Sequence, residues 1–151
     1  MALDDDIRIL SAVGLFEGFT REQLRLLAFG AETTALPADR KLYREDDTAD
    51  SAYVVVSGCI ALYREGSGER QIIGTAGPGA LLGELALIAD TRRLTSASAA
   101  LDSQIMRLNR AMFRRILEEY PDLAVLLHHR ISEEFQAMIR RIESLAPRFS
   151  G

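Results

Sequence analysis

The stretch Gly83-Glu84-Leu85-Ala86-Leu87, with Arg93 nine residues beyond Glu84, combines residue types that suit the holding of a small phosphorylated molecule. Gly83 lets a ligand come close to the backbone. A single helical turn from Glu84 to Ile88 would point its free N–H groups and the positive end of its dipole at an anion. An arginine arriving from the next strand adds a forked, charged donor, which matches phosphate oxygens better than a lysine point charge does. Glu84 is out of place beside an anion, but an ionised carboxylate only accepts hydrogen bonds and therefore suits a sugar hydroxyl. Arg92 competes with Arg93 for the anion. Neighbours in an extended strand face opposite ways, so one of the two points inward. Leu94 brings a branched side chain toward the same place, and Thr95 and Ser96 offer hydroxyls.

Other candidate chemistry is thin. His128-His129 sit on adjacent helical positions, which diverge by about 100° and do not converge on one metal ion. Cys59 is the single cysteine, so it forms no internal disulfide or zinc cluster, and it reads as core filler rather than a nucleophile. Histidine is absent from the strand region, and no His/Asp/Glu set with ligand spacing occurs there. No catalytic residue and no metal site are expected. Arg114-Arg115 and Arg140-Arg141 are interleaved with Glu118-Glu119, Glu133-Glu134 and Glu143 and read as solvated helix faces. The plain alternative for Glu84 and Arg93 is a surface ion pair, worth about 0 to 1 kcal/mol.

The elements that must position these residues follow from periodicity. Leu3, Ile7, Leu10 and Val13 make one helical stripe, and Thr20 with Gln23 forms a capping box for a second helix ending near Phe29 before Gly30. From Ala31 the chain breaks into short β-branched runs separated by Pro37, Asp46-Asp47, Gly58, Gly68, Gly74 and Gly77-Pro78-Gly79. Ala52–Val56, Cys59–Tyr63, Arg70–Ile73 and Gln104–Leu108 read as strands, with tight turns at Ser57-Gly58 and Ser67-Gly68. Asn109 caps a helix carrying Met112, Phe113, Ile116 and Leu117. Pro121 then opens a long one with Leu123, Leu127, Ile131, Phe135, Met138, Ile142 and Leu145 at intervals of three or four, ending by Pro147. The fold class is mainly β with flanking helices, a barrel or roll, and one domain: helices over 1–30, a β-roll over 31–109, a cassette over 83–96 and helices over 110–146.

The 151 residues carry a net charge of −4, unhelpful to a DNA binder. No apolar run reaches the ~18 to 20 residues of a membrane span, and the acidic start is unlike a signal peptide. A cytoplasmic setting without membrane contact is expected.

The Gly83–Leu87 stretch with Arg93 resembles the phosphate-binding cassette of the cyclic-nucleotide-binding domains, a family that includes catabolite activator protein, kinase regulatory subunits and gated channels. Leu15-Phe16, the Tyr53–Gly58 strand end and Gly77-Pro78-Gly79 also fall in the family's order. The resemblance implies a double-stranded β-helix and a sensor that catalyses nothing. Its ligand would be a cyclic nucleotide, cAMP ahead of cGMP. Gly83 and the amides of Leu85 and Ala86 would meet the cyclic phosphate, Glu84 the ribose 2′-hydroxyl, and Arg93 a phosphate oxygen, with Leu94 and Thr95 beside it. Two positions depart from the family pattern: Leu94 and Thr95 follow the arginine, and Glu45-Asp46-Asp47 stands where Glu-Gly-Asp is usual. The long helix is expected to signal and to pair two copies in a homodimer. With the sequence ending at Gly151, no recognition helix and no direct DNA binding are expected. The rival expectations are a degenerate interaction domain without ligand, or the ligand-binding part of a catabolite-activator-type regulator.

Overall fold

The computed structural model describes residues 2–66 and 68–145; Ser67, Pro147 and the residues around Pro147 to Gly151 lie outside them, as does the side chain of Leu145. Helix α1 (Ala2–Ser11) buries Ile7 and Leu10. A 3-10 turn (Gly14–Phe16) then buries Leu15 and Phe16, and α2 (Arg21–Phe29) buries Leu24 and Leu27. The capping box at α2 forms as the sequence indicates: Gln23 N–H donates to Thr20 Oγ1 at 3.2 Å, and Thr20 N–H donates to Gln23 Oε1 at 2.8 Å.

Ten strands follow among the described residues. They are β1 (Glu32–Leu36), β2 (Lys41–Tyr43), β3 (Thr48–Ala49), β4 (Ser51–Ser57), β5 (Ile60–Glu65), β6 (Arg70–Ala76), β7 (Leu81–Leu82), β8 (Thr91–Arg92), β9 (Ser96–Ala99) and β10 (Ser103–Asn109). They pair antiparallel as two four-stranded sheets, β1-β10-β4-β7 and β2-β9-β5-β6, with β3-β8 as a separate ribbon. This is the mainly β roll with flanking helices that the sequence indicates. The turn at Ser57-Gly58 does not fold β4 back on β5, because those strands belong to different sheets; it carries the chain across the roll. Gly58 is required there. Its φ is +92°, and a Cβ would collide with Ser103 Oγ.

Asn109 caps α3 (Arg110–Glu119), accepting from Met112 N–H at 2.8 Å, and Pro121 opens α4 (Pro121–Leu145). Two apolar cores result. One lies among α1, α2, α3, the first half of α4 and the outer face of β4 and β10, around Phe16, Phe113, Leu127 and Ile131. The other fills the roll between the sheets around Val55, Ile60, Leu62 and Ile105. Arg130 ties α4 to the first core by donating from Nη1 to the carbonyls of Leu15 and Glu17, at 2.9 and 2.7 Å. Cys59 belongs to neither core and is half-buried, which corrects its reading as core filler.

Candidate functional site

Gly83 leaves β7 in the left-handed conformation, φ +72°, and starts a 3-10 turn over Glu84–Leu87. That is the single helical turn expected. Its Ala86 N–H is already spent on Gly83 O at 3.1 Å, so fewer free amides face outward than the sequence reading counts. Ala86 and Leu87 anchor the turn in the protein, while Glu84 and Leu85 stay half-buried.

Arg93 is the inward arginine and Arg92 the outward one; Arg93 is 6% exposed. The loop between β2 and β3 holds its backbone on both sides. Asp46 N–H donates to Arg93 O and Arg93 N–H donates to Asp47 O, both at 2.8 Å. Asp46 takes φ +70°, the conformation glycine would adopt at lower cost, and the Asp47 carboxylate steadies the turn by accepting from Arg44 N–H at 3.0 Å. Asp46 thus takes up the left-handed turn without a glycine. The guanidinium lies 4.3 Å from the Tyr43 ring and 5.5 Å from the Tyr53 ring, and the two rings stack at 6.0 Å. Nη2 donates to Ser51 O at 2.8 Å. Nη1 is buried without a hydrogen-bond partner among the described residues. A Cβ at position 83 would collide with this same nitrogen, so Gly83 is needed for space as well as for its backbone angle.

Glu84 and Arg93 do not form the surface ion pair of the plain alternative. Glu84 instead lines a groove together with Glu134 of α4. Burial pushes the Glu84 carboxyl up to about 7, opposed by its own backbone N–H, reinforced by the neighbouring Glu134 charge and offset more weakly by Arg141. Burial also pushes the Tyr43 hydroxyl up to about 12, partly offset by the Arg93 charge.

The cassette encloses an inner cavity of about 60 Å³ lined by Tyr43, Gly83, Glu84, Arg93, Leu94 and Thr95, with Phe135 and Met138 of α4 as its lid. It opens onto a groove of about 330 Å³ between the roll and α4, where Glu134 and Arg141 stand opposite Leu62, Thr75 and Glu84. All seven expected residues, Gly83, Glu84, Leu85, Ala86, Arg93, Leu94 and Thr95, therefore lie around one cavity. Ser96 does not join them, because its hydroxyl accepts from Glu45 N–H at 2.9 Å.

Sequence reasoning missed Tyr43, the Ser51 carbonyl, Glu134 and Arg141. For the last two a signal existed: Glu134, Met138 and Arg141 repeat at intervals of four and three, which places them on one helix face. Arg140 and Arg141 are both exposed, as the solvated-face reading has it, and Arg141 also borders the groove. His128 and His129 are exposed, and no group of His, Cys, Asp and Glu among the described residues is arranged to hold a metal. No described helix is long and apolar enough to cross a membrane.

Comparison with known proteins agrees with this geometry. The family model for the cyclic nucleotide-binding domain matches residues 33–120, more than half the chain. A cyclic nucleotide-binding-like protein from Brucella abortus is 59% identical, with a TM-score of 0.69, over 76% of this chain and 99% of that one. The regulatory domain of Toxoplasma gondii PKA, co-crystallised with cAMP, is 26% identical with a TM-score of 0.70, over 76% of this chain and 44% of that one. Human patatin-like phospholipase domain-containing protein 6 is 27% identical over 95% of this chain, which spans only 10% of that protein's length. With the cassette built, the roll closed and the family model matched, the chain belongs to the cyclic nucleotide-binding domain family.

Proposed function

We propose that this domain is a non-enzymatic sensor that binds a cyclic nucleotide in the cassette, cAMP ahead of cGMP, and signals through α4. The buried, unpartnered Nη1 of Arg93 carries the reading. A guanidinium stays charged at all accessible pH, and a buried charged donor without an acceptor is costly. The rest of the guanidinium is held by the Tyr43 ring and by Ser51 O. A cyclic phosphate there would accept from Nη1, and the adjacent Glu84 would accept from the ribose hydroxyl. Leu85, Ala86, Leu94 and Thr95 complete the walls. The cAMP-bound regulatory domain among the similar structures supports the same ligand class.

The size of the cavity supports signalling through the helix. About 60 Å³ holds roughly two waters at ~30 Å³ each, whereas ligand sites usually measure ~300 Å³ or more. A nucleotide in this site would extend into the groove as well and lie against Phe135 and Met138 of α4, whose arrangement it would bias. A ligand favours one arrangement only by as much as it binds that arrangement better. Titration calorimetry with cAMP and cGMP tests the reading. Micromolar or tighter binding, with cAMP the stronger, is expected; no heat with either would overturn it in favour of a ligandless interaction domain.

A further inference from the structure

Arg93 is the one charged side chain among the described residues that is buried. A buried cation ordinarily has a carboxylate beside it, because moving an unpaired charge out of water is costly. Three of the half-buried arginines follow that pattern: Arg64 pairs with Glu45 at 2.8 Å, Arg110 with Asp90 at 2.7 Å and Arg107 with Asp50 at 3.4 Å. Arg93 pairs with no carboxylate among the described residues. Its guanidinium is surrounded by uncharged groups instead, the Ser51 carbonyl and the faces of Tyr43 and Tyr53. The two rings come from different sheets, Tyr43 from β2 and Tyr53 from β4, and lie within 28° of parallel, so they make one aromatic wall spanning both sheets. The wall belongs to the roll and not to α4. Tyr43 also lines both the inner cavity and the groove outside it.

We propose that Tyr43 is a positioning residue for the anion site: its ring face, with Tyr53 beside it, stands in for a counter-ion and holds the Arg93 guanidinium against Gly83 with its charge free for the ligand phosphate. The proposal rests on the nucleotide reading above. An aromatic face attracts a cation through its quadrupole while carrying no net charge. A carboxylate in the same place would also hold Arg93, but a phosphate would then have to displace it or bind beside a like charge. The rings impose neither cost. Aromatic holding therefore fixes the arginine before the ligand arrives and leaves the unpartnered Nη1 as the point of attachment.

Calorimetry with cAMP and NMR of the ligand-free full chain test it together. Tyr43→Leu keeps an apolar side chain but removes the ring face, and should weaken cAMP binding about five- to thirty-fold. Tyr43→Phe restores the face and should recover all but about two-fold of that loss. Because the ring acts through the arginine, Tyr43→Leu should cost no more than about two-fold in an Arg93→Ala background. Without ligand, the Arg93 Nε–H signal should carry the upfield ring-current shift of a stacked guanidinium in wild type and in Tyr43→Phe, and lose most of it in Tyr43→Leu. A leucine variant that binds cAMP as tightly as wild type, or that loses as much with Arg93 removed as with it present, would overturn the role of Tyr43 and leave the nucleotide reading standing. A phenylalanine variant as weak as the leucine one would assign the effect to the hydroxyl and overturn the ring face as its source. An Arg93 signal that is the same in all three chains would overturn the stack itself. A wild type that binds neither cAMP nor cGMP overturns the nucleotide reading and the positioning role with it, whatever the arginine signal shows.

Discussion

Arg93 shows how a single residue can be fixed on all sides but one. Its amide and carbonyl are tied to the Asp46-Asp47 loop, its face is stacked on Tyr43, one nitrogen is spent on Ser51 O, and the other is pressed against Gly83. Removing it with Arg93→Ala should weaken cAMP binding by about 2 to 4 kcal/mol, as for a buried acceptor that loses its charged donor. Arg92→Ala, whose side chain is exposed, should cost no more than about 0.5 kcal/mol. Calorimetry on the two folded variants compares them, and equal losses would remove Arg93 from the site. Gly83→Ala should lose most of the affinity as well, since a Cβ both strains φ +72° and drives the guanidinium from its place. Gly83, Glu84 and Arg93 were legible in the sequence because the chemistry resides in their own types and spacing. Tyr43 and the Ser51 carbonyl were not. A ring that stacks on an arginine fifty residues later, and a backbone oxygen that receives it, acquire their roles only from strand pairing.

At the scale of elements, local signals are read more easily than their destinations. The capping box at Thr20, the Asn109 cap and Pro121 at the start of α4 all work through atoms within a few residues, and each marks its boundary in the sequence. Asn109→Ala should therefore lower stability by about 1 kcal/mol in urea unfolding, with cAMP affinity unchanged, because the cap touches α3 and not the cassette. A larger effect is expected at the sheet-to-sheet corner. Gly58→Ala meets Ser103 and an unfavourable φ together, and should cost about 2 to 4 kcal/mol by the same measurement. The stripe along α4 illustrates the limit of periodicity. Spacing identifies an apolar face but not how it is shared out: Leu127 and Ile131 are fully buried in the helical core, whereas Phe135 and Met138 line the candidate-site cavity. Toward the far end of this stripe Phe135 and Met138 already face the cavity, and half-buried Ile142 is left for a partner to cover. Replacing Phe135 would disturb the ligand site, so Ile142→Ser is the cleaner probe of homodimerisation: sedimentation equilibrium should find wild type dimeric and this variant monomeric, with the cassette untouched.

Across the whole molecule, α4 bridges two cores of different character. Its first half is locked to the helical core by Leu127, Ile131 and the Arg130 bonds, and its second half meets the roll through Met138 and borders the groove that Glu84 lines. The buried carboxyl of Glu84 in that groove makes stability depend on pH. Glu84 sits near 4.5 when unfolded and is pushed up to about 7 by burial, with Glu134 adding to it. A carboxyl raised on folding binds its proton more tightly in the native state, so its stabilising contribution is complete below the unfolded value and is lost as pH rises through the folded one. Asp6, raised by burial and by Asp5, acts with the same sign at lower pH. Asp50, lowered chiefly by Ser51, acts with the opposite sign only as pH falls below the ordinary aspartate range, and the raised Tyr43 hydroxyl matters only above pH 10. Between pH 5 and 8 Glu84 therefore dominates. The ligand-free chain should lose on the order of 1 to 2 kcal/mol across that interval, below the ceiling of about 3 kcal/mol for a full shift, because Glu84 is only half-buried. Urea unfolding midpoints at several pH values read this directly, and Glu134→Gln should flatten the slope. A wild-type midpoint that is level or rises from pH 5 to 8 would mean that Glu84 titrates alike in the folded and unfolded chains.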